Sequence, residues 1–409
     1  MSIPASGPAS ATTAAPIVIV GGGFGGLYTA LALAEQRQHP PLLLIEPNAE
    51  FAFLPLLYEL LSGELRRWEI APRYDTLLAG RGIAWLRDSV VEIDSLGHCL
   101  HTASGRQLNY SQLVLATGAR LQSFGIPGVI EHALSFRSLA DVDRLQGLVA
   151  QLRQRHQPLQ RLAIVGAGPS GVELSCKLAD MVAGAAVVEL IEQGPLPLPQ
   201  ARAFNREQAT QALQRRDVRL RCNCRVLAVA SDQIHLQGSA GEERLTVAGV
   251  VWTAGLAFAP PAIQPGALQD QRGRLAVNEH LQLIGQPQIF ALGDIAALHS
   301  RDSDASGEPG NDQGDGSPPW PATAQVAFQQ ATCLATNLLQ ARRQAPLQAF
   351  RFQDLGEMLS LGRGEATLVG SGLTLAGAAA FQLRRLAYLT RLPGRSHQLR
   401  VAAGWLADW

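Results

Sequence analysis

Lysine is all but absent from this chain: of thirty-four basic side chains, Lys177 is the only one that is not arginine. That excludes Schiff-base chemistry at every other position, and the bias reads as genome-wide composition rather than a design for phosphate contacts. Net charge is missing too. Thirty-four acidic residues balance the basic ones, so no whole-molecule field draws in nucleic acid or an acidic partner. Cysteine is scarce, with five residues in 409, and none forms the CxxC or slightly wider pair that disulfide exchange needs. Cys222-Asn223-Cys224 has a one-residue gap and reads as part of a strand, where its thiols point to opposite faces; a structural, reduced role is the default. Metal-ligand spacing is missing, and no metal is expected.

Long apolar runs are also lacking. The uncharged stretch Ala366 to Leu383 is interrupted by Gly370, Gly372 and Gly377 and is a poor membrane span. Residues 1–15 have neither a basic start nor an apolar centre, so they are expected to be a disordered leader, not a signal peptide. What the chain does have is 47% hydrophobic residues against 17% charged, enough for two or three globular domains.

Two glycine fingerprints stand 145 residues apart: Gly21-Gly22-Gly23-Phe24-Gly25-Gly26 and Gly166-Ala167-Gly168-Pro169-Ser170-Gly171. Each follows an apolar run and opens an Ala/Leu-rich helical stretch. The first glycine allows a tight strand-to-helix turn, the second lets the backbone approach a pyrophosphate, and the third packs helix on sheet. Glu46 and Glu192 end the next apolar strands, 20 and 21 residues past the third glycines, where a carboxylate can accept from ribose hydroxyls. One chain is therefore expected to hold two dinucleotides on two Rossmann-like domains.

Residues 16–46 read as strand, turn, helix and strand, with further strands in Ile83–Ile93 and Gln107–Ala116. A connecting helix is expected over 141–160, then a second βαβ series to about 280. The strand Gln288–Asp294 ends in Gly293-Asp294, at the carboxyl edge where ligands meet a doubly wound sheet. Residues 300–319 are polar and rich in Gly, Asp and Pro, a disordered surface loop by composition. A helix over 322–343 and a strand-rich segment over 350–375 follow. These give a first domain of 16–140 with 281–345, a second of 141–280, and a C-terminal region of 346–409.

From Leu373 to Trp409 the chain carries five arginines and one aspartate, a local net charge of +4. On a helix over 375–392, Leu375, Ala379, Leu383, Leu386 and Thr390 share one face, while Phe381, Arg384, Tyr388 and Arg391 occupy the other. Such a segment suits an anionic membrane surface, with Trp405 and Trp409 as interfacial anchors; equally, it suits a helix packed on the body of the protein.

Three more features fit a flavin site. Leu115-Ala116-Thr117-Gly118-Ala119 ends a strand in small residues that let backbone approach a flat ring. Asp294 can accept from ribityl hydroxyls. In Ala324-Gln325-Val326-Ala327-Phe328-Gln329, the two glutamines share a helical face beside alanines, leaving room for a planar ring. Glu173 lies early in the second fingerprint helix, near where a nicotinamide would lie.

These motifs together resemble the type II NAD(P)H:quinone oxidoreductases, single-chain FAD enzymes with the tandem, disulfide-reductase-like pair of dinucleotide-binding domains and a membrane-associated C-terminus. The resemblance covers nearly the whole chain, and Ala-Gln-x-Ala-x-Gln at 324–329 is its most specific mark. Phe53–Leu60, Trp68–Pro72, Phe204–Arg206 and Leu355–Gly362 look most like the cyanobacterial and plastid branch assigned to demethylphylloquinone reduction. The resemblance implies that Gly21, Gly23, Phe24, Gly25, Gly26, Glu46, Pro55, Thr117, Gly118, Gly293 and Asp294 hold FAD, with Gln325, Val326 and Ala327. It implies that Gly166, Gly168, Pro169, Ser170, Gly171 and Glu192 hold NADPH or NADH. Glu173 would serve beside the nicotinamide, and Gln325 and Gln329 on the quinone side.

It further implies a homodimer, peripheral on the cytoplasmic face of a thylakoid or plasma membrane. Glu192 should repel a 2′-phosphate, yet the branch is associated with NADPH, and Arg202 or Arg206 can compensate. The expected reaction is hydride transfer from NAD(P)H through FAD to a membrane naphthoquinone. A respiratory-type NADH dehydrogenase, a slow-turnover redox sensor and a soluble ferredoxin reductase are the alternatives.

Overall fold

The strand Ile17–Val20 is four β-branched residues buried on both faces, the pattern of a central parallel strand. In the computed structural model, which describes residues 15–155, 160–299 and 320–407, it is one of the inner strands of an eight-stranded sheet. The sheet runs in the order Ala296–Leu298, Leu275–Val277, Gln282–Leu283, Gln286–Ala291, Gln112–Leu115, Ile17–Val20, Leu42–Ile45 and Ile83–Leu86. The last five are mutually parallel. The first fingerprint turns this central strand into the helix Phe24–Ala34. Beside that helix runs Ala324–Arg342, started by Thr323, whose hydroxyl accepts from the Val326 amide, with Tyr28 edge-on to Phe328 at 4.8 Å. A four-stranded sheet, Ala262–Gln264, Val90–Asp94, Cys99–Thr102 and Gln107–Asn109, shares its apolar core, which includes Val18, Ile93, Leu113 and Ile289.

These segments form one compact unit: the chain through Ala49, Leu78–Gly118 and Phe258–Phe352. The other comprises Glu50–Leu77, Ala119–Ala257 and Gln353–Trp409. Its five-stranded parallel sheet has the order Arg219–Arg221, Val187–Ile191, Arg161–Val165, Gly249–Trp252 and Ala133–Leu134. The helix Pro169–Val182 follows the second fingerprint. It also holds two three-stranded antiparallel sheets, 225–246 and 357–377, the strand pair Arg120–Leu121 with Leu256–Ala257, and, among its helices, Leu139–Arg155, Ala203–Arg215, Ala378–Leu389 and Arg395–Ala407.

The α/β architecture with tandem dinucleotide-binding units is as expected; the borders differ. Ala133–Leu134 leaves the first unit because it pairs with Val250 and Val251. Residues 258–280 enter it because Ala262–Gln264 pairs with Glu92–Asp94 and Leu275–Val277 with Ala296–Leu298. Residues 50–77 belong with the second unit, where Gln146 donates to the Leu60 and Leu61 carbonyls. The C-terminal residues from Gln353 are part of that unit too. Cys222 and Cys224 sit not on a strand but in the turn between two, around Asn223 at φ 51°. Residues 1–14 of the expected 1–15 leader, the 300–319 loop and Trp409 lie outside the described residues.

Candidate functional site

The two fingerprints fold alike. Gly21 and Gly166 adopt φ of 98° and 99°, a region closed to side chains. A Cβ on Gly26 would fall 1.8 Å from the Gly21 carbonyl oxygen, and one on Gly171 would fall 1.8 Å from that of Gly166. At Gly23 and Gly168 a Cβ would meet nothing within 4 Å. The third glycine thus closes helix on turn while the second leaves open space over bare backbone, the cradle a dinucleotide pyrophosphate fits.

Both acidic residues reach back to their own turn. Glu46 Oε2 accepts from the Gly22 amide at 2.7 Å, and Oε1 from the Asn48 amide at 2.9 Å and side chain at 2.6 Å. Glu192 Oε2 accepts from the Ala167 amide and Oε1 from the Gly194 amide, each at 2.7 Å. Each carboxylate is fixed by backbone donors and keeps lone pairs for ribose hydroxyls. The two arginines expected to compensate differ: Arg202 is tied to a carboxylate, that of Asp354 at 2.8 Å, whereas the Arg206 guanidinium donates to a neutral acceptor, the Pro199 carbonyl, at 3.3 Å. Replacing Glu192 by Gln is expected to raise the NADPH over NADH ratio of kcat/KM about tenfold, as removing one charge near a 2′-phosphate is worth about 1–2 kcal/mol. Steady-state kinetics with both nucleotides checks this, and an unchanged ratio would place Glu192 away from the ribose.

Around the Gly-Asp turn the first unit is specific. Asp294 is the central residue of the short helix Gly293–Ile295 and is half-buried. Gly293 donates its amide at 2.7 Å to Gln330, buried on the helix Ala324–Arg342, and a Cβ there would meet Ala327 at 3.4 Å. No sequence pattern singles out Gln330, although it directly follows the glutamine motif. Gln325 and Gln329 are half-buried on the same helix, beside buried Val326 and Ala327. Thr117 is exposed and Gly118 takes φ 68° after the strand Gln112–Leu115. Pro55 belongs to the second unit, where its carbonyl accepts from Arg384 at 2.6 Å.

Glu173 stands at the head of a buried polar network in the second unit. It is 7% exposed. Its Oε1 accepts from the Ser360 amide at 2.7 Å, and Tyr58 bonds both Glu173 and Ser170. Burial pushes its carboxyl up to about 7, against the opposing pull of Arg384. Arg384 is 1% exposed, with Nη1 2.5 Å from Glu59 and Nη2 4.0 Å from Glu173. Glu59 also accepts from the Ser360 hydroxyl at 3.1 Å and lies 3.8 Å from Lys177, which pairs directly with Glu64. A carboxyl that titrates near neutrality, fixed by a backbone amide and a tyrosine, can take up and release a proton in the working range.

The helix expected over 375–392 spans Ala378–Leu389, the residues before it belonging to the strand Leu373–Gly377. Phe381 and Arg384 point inward and Leu383 and Leu386 outward, because the guanidinium is neutralised by Glu59 and stacks 4.9 Å from Tyr388. Trp405 is no interfacial anchor: it is buried and donates to Glu69 at 2.7 Å, under Arg385 at 4.3 Å. Leu386 is exposed on the helix Ala378–Leu389, and Leu399 at 72% and Leu406 at 77% are exposed on the next, Arg395–Ala407. Among the described residues no helix is long and apolar enough to cross a membrane.

The profile of the pyridine nucleotide-disulphide oxidoreductase family matches residues 15–331. The chain belongs to that family. Within it, the oxidoreductase is a member of the type II NAD(P)H:quinone group. Demethylphylloquinone reductase NdbB of Synechocystis is 37% identical over 405 residues, spanning 96% of this chain and 97% of its own. The alternative NAD(P)H-ubiquinone oxidoreductase C1 of Arabidopsis thaliana is 35% identical over 96% of this chain and 80% of its own. NDH2 from Plasmodium falciparum, solved with NADH, shares the fold at a TM-score of 0.84 and 19% identity, covering 97% of this oxidoreductase and 98% of that chain. FAD and NAD(P)H are the cofactors that fit this oxidoreductase.

Proposed function

We propose that this oxidoreductase transfers two electrons from NAD(P)H to a membrane naphthoquinone of the demethylphylloquinone type. The observation that carries the reading is the pair of complete fingerprints in a chain related end to end, at 37% identity, to a demethylphylloquinone reductase. When bound, FAD supplies the two-electron relay between nucleotide and quinone. The first fingerprint with Glu46, Thr117, Gly118 and Asp294 is assigned to the flavin, and the second with Glu192 to the nucleotide. Gln330 holds the Gly293-Asp294 turn in place. The N-terminus of the helix Ala324–Arg342 presents Gln325 and Gln329 as amide donors, with a dipole that favours negative charge. Glu173 carries a proton for quinol formation.

The outward leucines of the last two helices, with the exposed Arg395 and Arg400, support peripheral attachment to an anionic membrane. A second reading, a benzoquinone acceptor, is favoured by the 35% identity to the plant ubiquinone enzyme. Anaerobic reduction of the flavin by NADPH and by NADH, then turnover with demethylphylloquinone, plastoquinone and ferricyanide, separates the readings. Demethylphylloquinone is expected to turn over fastest. Fastest turnover with plastoquinone supports the second reading, and rapid reoxidation by ferricyanide alone overturns both.

A further inference from the structure

Two buried carboxylates compete for one buried guanidinium in the second unit. Arg384 lies 2.5 Å from Glu59 and 4.0 Å from Glu173. Only the first is a direct charge-assisted hydrogen bond. Glu59 is itself held: the Ser360 hydroxyl donates to it at 3.1 Å and Lys177 stands 3.8 Å away, anchored in turn by Glu64. The second Arg384 nitrogen is kept on the Pro55 carbonyl at 2.6 Å. Glu173 is left with the Ser360 amide and Tyr58, neither of which carries the positive charge that fixes a carboxylate in its ionised form.

We propose that Glu59 is a positioning residue for quinone reduction: by holding Arg384 it keeps the guanidinium from closing on Glu173, and so leaves Glu173 able to carry a proton. This rests on the role of Glu173 in the proposed function. The overall reaction is NAD(P)H + H⁺ + quinone → NAD(P)⁺ + quinol. The hydride brings two electrons and one proton, and the second proton comes from water by way of Glu173.

The groups around Glu173 are few. The helix Leu57–Leu61 contributes Tyr58 and Glu59, and its own helix Ser170, Cys176 and Lys177. The helix Ala378–Leu389 contributes Arg384 and Tyr388. The strand Glu357–Ser360 contributes Ser360, the Glu357 carboxylate being engaged by the Arg202 amide at 3.0 Å. Removing the Glu59 charge therefore acts in one direction by two routes: a repelling anion is lost, and Arg384 is released toward Glu173.

The test is the pH profile of kcat/KM for the quinone, with the assembled flavoprotein. In the parent, activity is expected to be highest with Glu173 protonated and to fall above about pH 7, where its carboxyl titrates. Glu59→Gln should move this alkaline limb to lower pH by about one unit or more, a drop of about tenfold at pH 8. Glu59→Asp keeps the charge and the fold but loosens the grip on Arg384; it should move the limb the same way by less. A merely structural role would lower rates at all pH values without moving the limb. If Glu173→Gln abolishes the limb but both Glu59 variants leave it in place or move it to higher pH, the proposal fails alone. If Glu173→Gln keeps the limb, the assignment of Glu173 fails, and this proposal with it.

Discussion

Arg384→Met is expected to lower the unfolding free energy by about 3–5 kcal/mol, the usual result of removing one partner from a buried ion pair. Three groups lose their partner at once. The Glu59 carboxylate, 0% exposed, keeps the Ser360 hydroxyl and Lys177 at 3.8 Å. The Pro55 carbonyl loses a donor at 2.6 Å, and Tyr388 loses the guanidinium over its ring. Methionine fills much of the volume but satisfies no acceptor, so the loss comes mainly from unpaired charge and not from a cavity. Arg384→Lys should fall between, since a point charge cannot serve Glu59 and Pro55 together. Pairing Arg384→Met with Glu59→Leu should recover most of the loss, because the desolvated carboxylate goes too. Urea denaturation of the four proteins measures this. A loss under about 1 kcal/mol for Arg384→Met would mean that the pair contributes little net stability.

The fingerprints were legible because their physics is local: a turn, a helix start and an acidic residue one strand later all lie within one βαβ unit. Glu46 and Glu192 do fold back to their own turns. The network around Glu173 was not legible, for the opposite reason. Arg384 and Glu59 are 325 residues apart, and nothing in either neighbourhood marks the other. A helical wheel sorts Phe381, Arg384 and Tyr388 onto one face but does not say which face is buried; the distant Glu59 carboxylate decides that for Arg384. The same applies to Trp405, whose indole is claimed by Glu69. A trace did exist: the single lysine among thirty-four basic residues sits in the network. The unit borders were misplaced wherever a short edge strand chose its sheet by long-range pairing, as Ala133–Leu134 and Ala262–Gln264 do.

Glu173→Gln is expected to slow quinone reduction by about 10²-fold or more, the scale of losing a positioned proton carrier. Glutamine keeps the acceptor oxygen that the Ser360 amide requires, so the variant should fold and the flavin should still be bound. What it removes is the ionisable group, and the inflection near pH 7 should vanish from the quinone-dependent rate. Stability supplies an independent check with a definite sign. The carboxyl rises from an ordinary 4.5 to about 7 on folding, with burial the first cause. The folded protein therefore binds the proton more tightly than the unfolded chain, so this stabilising contribution is fully present below about pH 4.5. It is lost as pH climbs through about 7. The neutral amide has no such dependence, so stability of the variant relative to the parent should increase between pH 4.5 and 7 and level off above. Thermal denaturation across that range reads it directly. A difference that stays flat with pH would mean that Glu173 is ionised throughout, and the proton for quinol formation would have to come from another group.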